Sequence, residues 1–292
     1  MKNLRSYLFL LILALLGTSP TAHAISWTPG WSLQTTPNPS PASAETRANA
    51  KRLSNAIDST ESARTAILAW EAIAAAQPDD VEAWTELACL HLLEGAAYQQ
   101  NSKARLRCYL AGLQACERAM ATNAEFLRRV KAGETTSQAA TALGPREMGA
   151  MHFWATGVFY IFRDCLGFFG RISNVGQMDS AKAMLVRMDA VDPTWEEYTS
   201  TFSWGIYYLA MPSSRGGDKA KARDCFDRAV KLGVNRTIPR WGRGKYFYVA
   251  MGETAASQAD LAAVAALNID DLGGSRPWNR YLKAEAARLV AK

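Results

Sequence analysis

The sequence predicts an all-α fold, a stack of helical hairpins wound into a compact superhelix around a central apolar channel or groove. Three observations predict it. From about Ala44 to Lys292 the apolar residues recur at helical spacing, with no strand alternation and no hairpin dipeptide between apolar runs. A register of Ala66, Trp70, Ile73 and a terminating Pro78 has its spacing repeated by Ala181, Leu185, Met188 and Pro193. The stretch TFSWGIYYLAMPSSRGGDKAKARDCFDRAVKLG, Thr201–Gly233, sets two amphipathic helices on either side of a Pro/Ser/Gly break.

The chain opens with MKNLRSYLFLLILALLGTSPTAHA. Lys2 and Arg5 precede an apolar run from Tyr7 to Leu16, and Ala22-His23-Ala24 follows, which is the three-part pattern of a cleavable signal peptide over residues 1–24. The run falls short of the ~20 apolar residues that span a bilayer, so no stable membrane span is expected. No cysteine follows it, so no lipid attachment is expected either, and the mature chain is placed free in the periplasm from Ile25. Losing Lys2 and Arg5 takes the formal charge from +6 to +4. The remaining basic residues alternate with acids along helix faces, which excludes a nucleic-acid partner.

Residues 25–43 carry Pro29, Pro37, Pro39 and Pro41 among serines and threonines, and read as an extended leader. In this leader Trp27 and Trp31 either dock on the body or belong to a mobile tail. Residues 44–292 read as a single helical domain. The first hairpin register ends at Pro78, and Trp84, Leu87, Ala88 and His91 continue it in phase, as in a tetratricopeptide (TPR) repeat. His91 takes a packing slot there. Ser102–Thr122 shows a wide apolar stripe from Leu106 to Met120, and Lys131–Glu147 reads as a connection punctuated by Gly144-Pro145. Gly149–Phe162 is apolar on nearly every side and too short for a membrane, so it is a core helix or the wall of a channel.

In the Thr201–Gly233 pair, Trp204, Gly205 and Tyr208 face Ala222, Phe226 and Ala229 at TPR spacing, with a turn lengthened by MPSSRGG. Trp70, Trp84, Ala88, Gly205, Ala222, Phe226 and Ala229 are the expected packing positions. Trp241–Gly252 is a further aromatic helix, Asp260–Asn268 an alanine-rich one, and Trp278–Lys292 closes the stack with a polar outer face. The five cysteines, Cys89, Cys108, Cys116, Cys165 and Cys225, sit in apolar helical contexts and read as buried thiols, although a Cys89–Cys108 bridge between neighbouring helices also fits.

Catalytic patterns are missing from the sequence. There is no G-x-S-x-G elbow, no S-x-x-K, no H-E-x-x-H and no phosphate-binding glycine loop. His91 and His152 have no acid at ligand spacing, so neither metal nor cofactor is expected. Gly216-Gly217-Asp218 reads as a turn followed by an N-cap. Glu196 and Glu197, adjacent at a helix start, are expected to point apart and favour the helix dipole. An enzyme is not expected.

Four blocks together resemble the T component associated with tripartite ATP-independent periplasmic (TRAP) transporters, over about Ala63–Lys292. They are QPDDVEAWTELACLH, YLAGLQACERAM, EFLRRVKAGE…LGPREMGAMHFWATG and WGIYYLAMPSSRGGDKAKARDCFDRAV, the last being the most specific. The resemblance implies hidden TPR motifs, assembly as a homotrimer, a complex with a periplasmic substrate-binding (P) subunit, and a pore in each protomer for a small hydrophobic ligand. By position, the MHFWATGVFY and WGIYYLA helices are the candidate channel wall, with Trp154, Phe159, Tyr160, Trp204, Tyr207 and Tyr208; Tyr246 and Tyr248 are further rings. The competing reading is a periplasmic TPR scaffold that grips peptides or envelope proteins without a small ligand.

Overall fold

Helices start where the sequence supplies a polar cap. The computed structural model describes residues 25–33 and 42–291; the predicted signal peptide, residues 1–24, and residues 34–41 of the leader lie outside them. The described residues form helices and turns, with no strand among them. Ser43 caps α1 (Ala44–Asn55) by accepting from the Thr46 N–H at 3.1 Å, and Ser59 with Ser62 forms a capping box on α2 (Thr60–Ala76). Asp80 caps α3 (Val81–Leu93) and Asn101 caps α4 (Ser102–Ala121), each satisfying an N–H that the first turn leaves free. Asn123 does the same for α5 (Ala124–Lys131). The predicted connection is partly structured: it holds α6 (Thr136–Ala139) and two 3₁₀ turns, Ala140–Ala142 and Pro145–Glu147.

The spine of the molecule is α7 (Met148–Asp164), which packs against α3, α4, α9 (Val175–Val191) and α10 (Trp195–Ala210). Being surrounded by helices explains why it is apolar nearly all round. A short α8 (Phe168–Ser173) joins α7 to α9. Further on come α11 (Lys219–Leu232), α12 (Thr237–Gly242), α13 (Thr254–Ala266) and α14 (Arg276–Val290). The last helix returns to the first: Arg280 donates to the Asn55 carbonyl at 2.6 Å and to the Ile57 carbonyl at 3.3 Å.

The pair α10–α11 packs through Gly205 and Phe226. A Cβ on Gly205 would lie 3.2 Å from two carbons of the Phe226 ring, tighter than ordinary contact. Ala222, Phe226 and Ala229 are buried there, as are Trp70 and Ala88 in the first hairpins; Trp84 is half-buried, donating to the Pro78 carbonyl at 3.0 Å. The lengthened turn is fixed by Asp218, whose carboxylate accepts from Ala220 N at 2.9 Å and Lys221 N at 3.0 Å. Gly205→Leu is expected to cost about 1–3 kcal/mol through overpacking. A thermal melt reads this, and an unchanged Tm would mean that the two helices do not need their close approach.

Glu196 and Glu197 do not point apart. Together with Tyr198 they adopt a left-handed turn, with φ of 49°, 55° and 64°. Each such residue costs roughly 1–2 kcal/mol. The turn brings both carboxylates to Arg236: Glu196 pairs with it directly and Glu197 lies 3.5 Å away, also accepting from the Asn235 N–H at 3.2 Å. The charge on Arg236 offsets a backbone that spacing on a regular helix does not foresee. The five cysteines are free thiols, so Cys89 and Cys108 are unbridged.

The leader's first described residues lie on the body. Gln114 donates to the Thr28 carbonyl at 2.6 Å, and the Gly30 N–H donates to buried Glu117 at the same distance. Trp27 and Trp31 pack against the main core.

Candidate functional site

Two cavities adjoin inside the helical stack. The first, about 460 Å³, is walled by α7, α8, α9, α10 and α12, and its surface is mostly apolar, with Phe159, Met178, Phe202, Ile206 and Trp241 prominent. The second, about 500 Å³, lies among α1, α3, α7, the left-handed turn at the start of α10, and α14. Both volumes suit small ligands. His152, Thr156, Tyr160 and Ile238 line both cavities, so these four residues stand at the waist where the two chambers adjoin.

Helical geometry explains how α7 serves both chambers. His152, Thr156 and Tyr160 recur every four residues and stack on one face. Phe159 and Arg163 carry that face onward into the first chamber. From α12 into the turn that follows it the reason is different. Trp241 and Tyr246 are five residues apart, which on a regular helix points them in different directions. The turn Arg243–Tyr248 is π-helical, with i→i+5 bonding, and it brings the two rings to 5.2 Å in an edge-on contact. Both then face the first chamber.

Of the predicted channel rings, Phe159 and Tyr160 line the first chamber, and Tyr160 also lines the second. Trp154 is 2 % exposed and lies in the core, its Nε1–H donating to Glu117 at 3.2 Å. Trp204, Tyr207 and Tyr208 line neither chamber. They pack on one another with centroids 5.6–5.8 Å apart, and Trp204 donates to Asp189 at 2.7 Å. Tyr246 lines the channel and Tyr248 does not. Sequence reasoning missed Arg163, Arg171, Met178, Phe202 and Ile206. The run Phe168-Phe169 was the available signal for α8: Phe168, Phe169 and Ile172 are 72 %, 69 % and 58 % exposed, and Phe168 and Ile172 form part of the chamber rim.

The two chambers differ electrically. In the second, Lys51 pairs with Glu82 at 2.7 Å and Arg236 pairs with Glu196, while burial pushes the Glu86 carboxyl above its usual range. At the waist, burial and the nearby Arg236 charge push His152 down to about 4, so its imidazole is neutral near pH 7. Its Nδ1 has no hydrogen-bond partner among the described residues. In the first chamber the charge belongs to Arg163, which lies over the Tyr160 ring at 4.3 Å and forks onto Asp164 at 2.5 and 2.6 Å. Burial works against ionised Asp164, yet the Arg163 fork and the Tyr109 hydroxyl, at 2.7 Å, hold its carboxyl below the usual range.

Among the described residues no group of three or more His, Cys, Asp or Glu side chains is placed to hold a metal ion. Nor is any helix among them long and apolar enough to cross a membrane. The first chamber presents a mostly apolar wall, with a few polar groups at its waist and rim.

No curated protein matches the chain. The family model described as TRAP transporter T-component matches residues 81–292, which takes in every helix from α3 to α14 and nearly all of the channel wall. The chain belongs to the family of TRAP transporter T components.

Proposed function

We propose that this T component holds a small apolar ligand in its bent channel and presents it to the periplasmic substrate-binding (P) subunit of a TRAP transport system. Family membership supplies the accessory role in transport. The observation that carries the ligand is the mostly apolar first chamber, which adjoins the second across His152, Thr156, Tyr160 and Ile238. A repeat scaffold that only grips peptides needs a long concave groove, whereas the first chamber is a half-open pocket of about 460 Å³ with a mostly apolar wall. Phe159 and Tyr160 contact the ligand in this reading, together with Met178, Ile206 and Trp241. The exposed rings of Phe168 and Phe169, beside the rim, offer the P subunit an apolar foothold next to the opening.

The protein works in the periplasm as a homotrimer of TPR-like protomers in this reading, and one measurement tests the assembly and the cargo together. Native mass spectrometry of the mature protein, drawn gently from its own periplasm, is expected to give a trimer with added protein mass and a small apolar adduct. A bare monomer with neither partner nor adduct would overturn the proposal.

A further inference from the structure

Among the described residues that line the first chamber there is no Asp or Glu, but there are two arginines, Arg163 and Arg171. Arg163 is committed to Asp164, which Arg105 also approaches at 3.9 Å. Arg171 pairs with no carboxylate among the described residues. Its Nε donates to the Phe162 carbonyl at 2.9 Å and its Nη2 to the Arg163 carbonyl at 3.2 Å, closing the free end of α7, while the side chain is exposed at the rim. The two arginines of the wall therefore stand against one carboxylate, Asp164, while the nearby Glu285 is taken by Lys245. The second chamber offers no such excess, because Lys51 and Arg236 face Glu86 and Glu196. Apolar walls concentrate the field of the unbalanced charge at the mouth.

The dimensions fit one chain. From His152 at the waist to Arg163 the α7 axis rises about 16 Å at 1.5 Å per residue. A volume of about 460 Å³ takes roughly fifteen heavy atoms at about 30 Å³ apiece, water's share of its liquid. A two-chain lipid is larger than this one chamber. We propose that the ligand is a single-chain amphipathic carboxylate of medium length. Its tail lies along Phe159, Met178, Phe202 and Ile206, and its carboxylate sits at Arg171, with Arg163 behind. This deepens the apolar-ligand reading above and rests on it. Arg171 has donor capacity left for a carboxylate, since its two hydrogen bonds to carbonyls leave other N–H groups of the fork free.

Isothermal titration calorimetry of the full mature chain with dodecanoate and with dodecan-1-ol tests this, on the unmodified protein and on Arg171→Gln. Dodecanoate is expected to bind about ten-fold or more tightly than the alcohol, as a charge-assisted bond allows. Arg171→Gln is expected to erase that advantage, so that acid and alcohol bind this variant with equal affinity. Equal affinities for acid and alcohol in the unmodified protein overturn the carboxylate and leave the apolar-ligand reading standing. A preference for the acid that survives Arg171→Gln overturns the placement of the head group at this rim. If neither compound binds, the apolar-ligand reading itself falls.

Discussion

Glu117→Ala is expected to destabilise the protein by about 3 kcal/mol or more and to strip the leader from the body. Glu117 is 1 % exposed on α4 and accepts three bonds: from Gly30 N at 2.6 Å, Thr136 Oγ at 3.0 Å and Trp154 Nε1 at 3.2 Å. It is the post that ties leader, α6 and α7 together. Each donor left without an acceptor costs about 1–3 kcal/mol while it stays buried. The Gly30 N–H escapes that cost by leaving, which frees the leader. Gly30 itself sits so close to α4 that a Cβ would meet the Gln114 carbonyl at 1.9 Å, so no other residue can hold this seat without a backbone shift. The variant should show a lower Tm together with rapid proteolytic removal of residues 25–43. A leader as protease-resistant as before would mean that Trp27 and Trp31 hold it without Glu117.

The same carboxylate sets a pH dependence. Burial pushes Glu117 up to about 7, against the opposing pull of its three hydrogen bonds. An acid whose folded pKa lies above its unfolded value binds more protons in the folded state. Its contribution is therefore whole below pH ~4.5 and is lost as pH rises through about 7. At 1.36 kcal/mol per unit the loss across that window is at most about 3.4 kcal/mol. The difference in stability between the unmodified protein and Glu117→Gln should change across pH 5–8, since glutamine does not titrate. A difference that stays flat over that range would place the Glu117 pKa outside it.

What the sequence reveals follows physical locality. Helix caps such as Asp218 and the contact between Gly205 and Phe226 depend on residues a few positions apart or on one helix pair, and their spacing shows them. The all-α architecture was legible for the same reason, because 3.6-residue periodicity is written into each segment. The channel depends on facts that spacing does not carry. An apolar helix such as α7 has one face for core and another for cavity, and composition does not separate Trp154, tied to Glu117, from Phe159 and Tyr160, which look into the chamber. The π-helical turn changes which residues share a face, so reading Trp241 and Tyr246 at regular spacing places them apart. The left-handed turn at Glu196–Tyr198 is set by Arg236, forty residues further on, which no local rule at Glu196 anticipates.

The sharpest test of the channel as a whole is a charge placed on its apolar wall. Ile206 lies on α10, half-buried, lining the first chamber. In Ile206→Asp the new carboxylate keeps its water while the chamber is empty, so the fold should survive. A ligand entering the chamber has to strip that water, and removing an ion from water without a partner costs several kcal/mol. Affinity for acid and alcohol alike is then expected to drop at least about a hundred-fold, equivalent to ~2.7 kcal/mol. Ile206→Asn, of similar size and neutral, should lose much less, which separates charge from shape. Circular dichroism and Tm of both variants guard against a trivial loss through unfolding, since Ile206 also packs against two of the hydrophobic clusters. Binding unchanged in a folded Ile206→Asp protein would mean that the ligand avoids the first chamber. The second chamber, with its paired charges and the neutral His152, would then be where it sits, and the arginine rim would have to serve something other than the cargo.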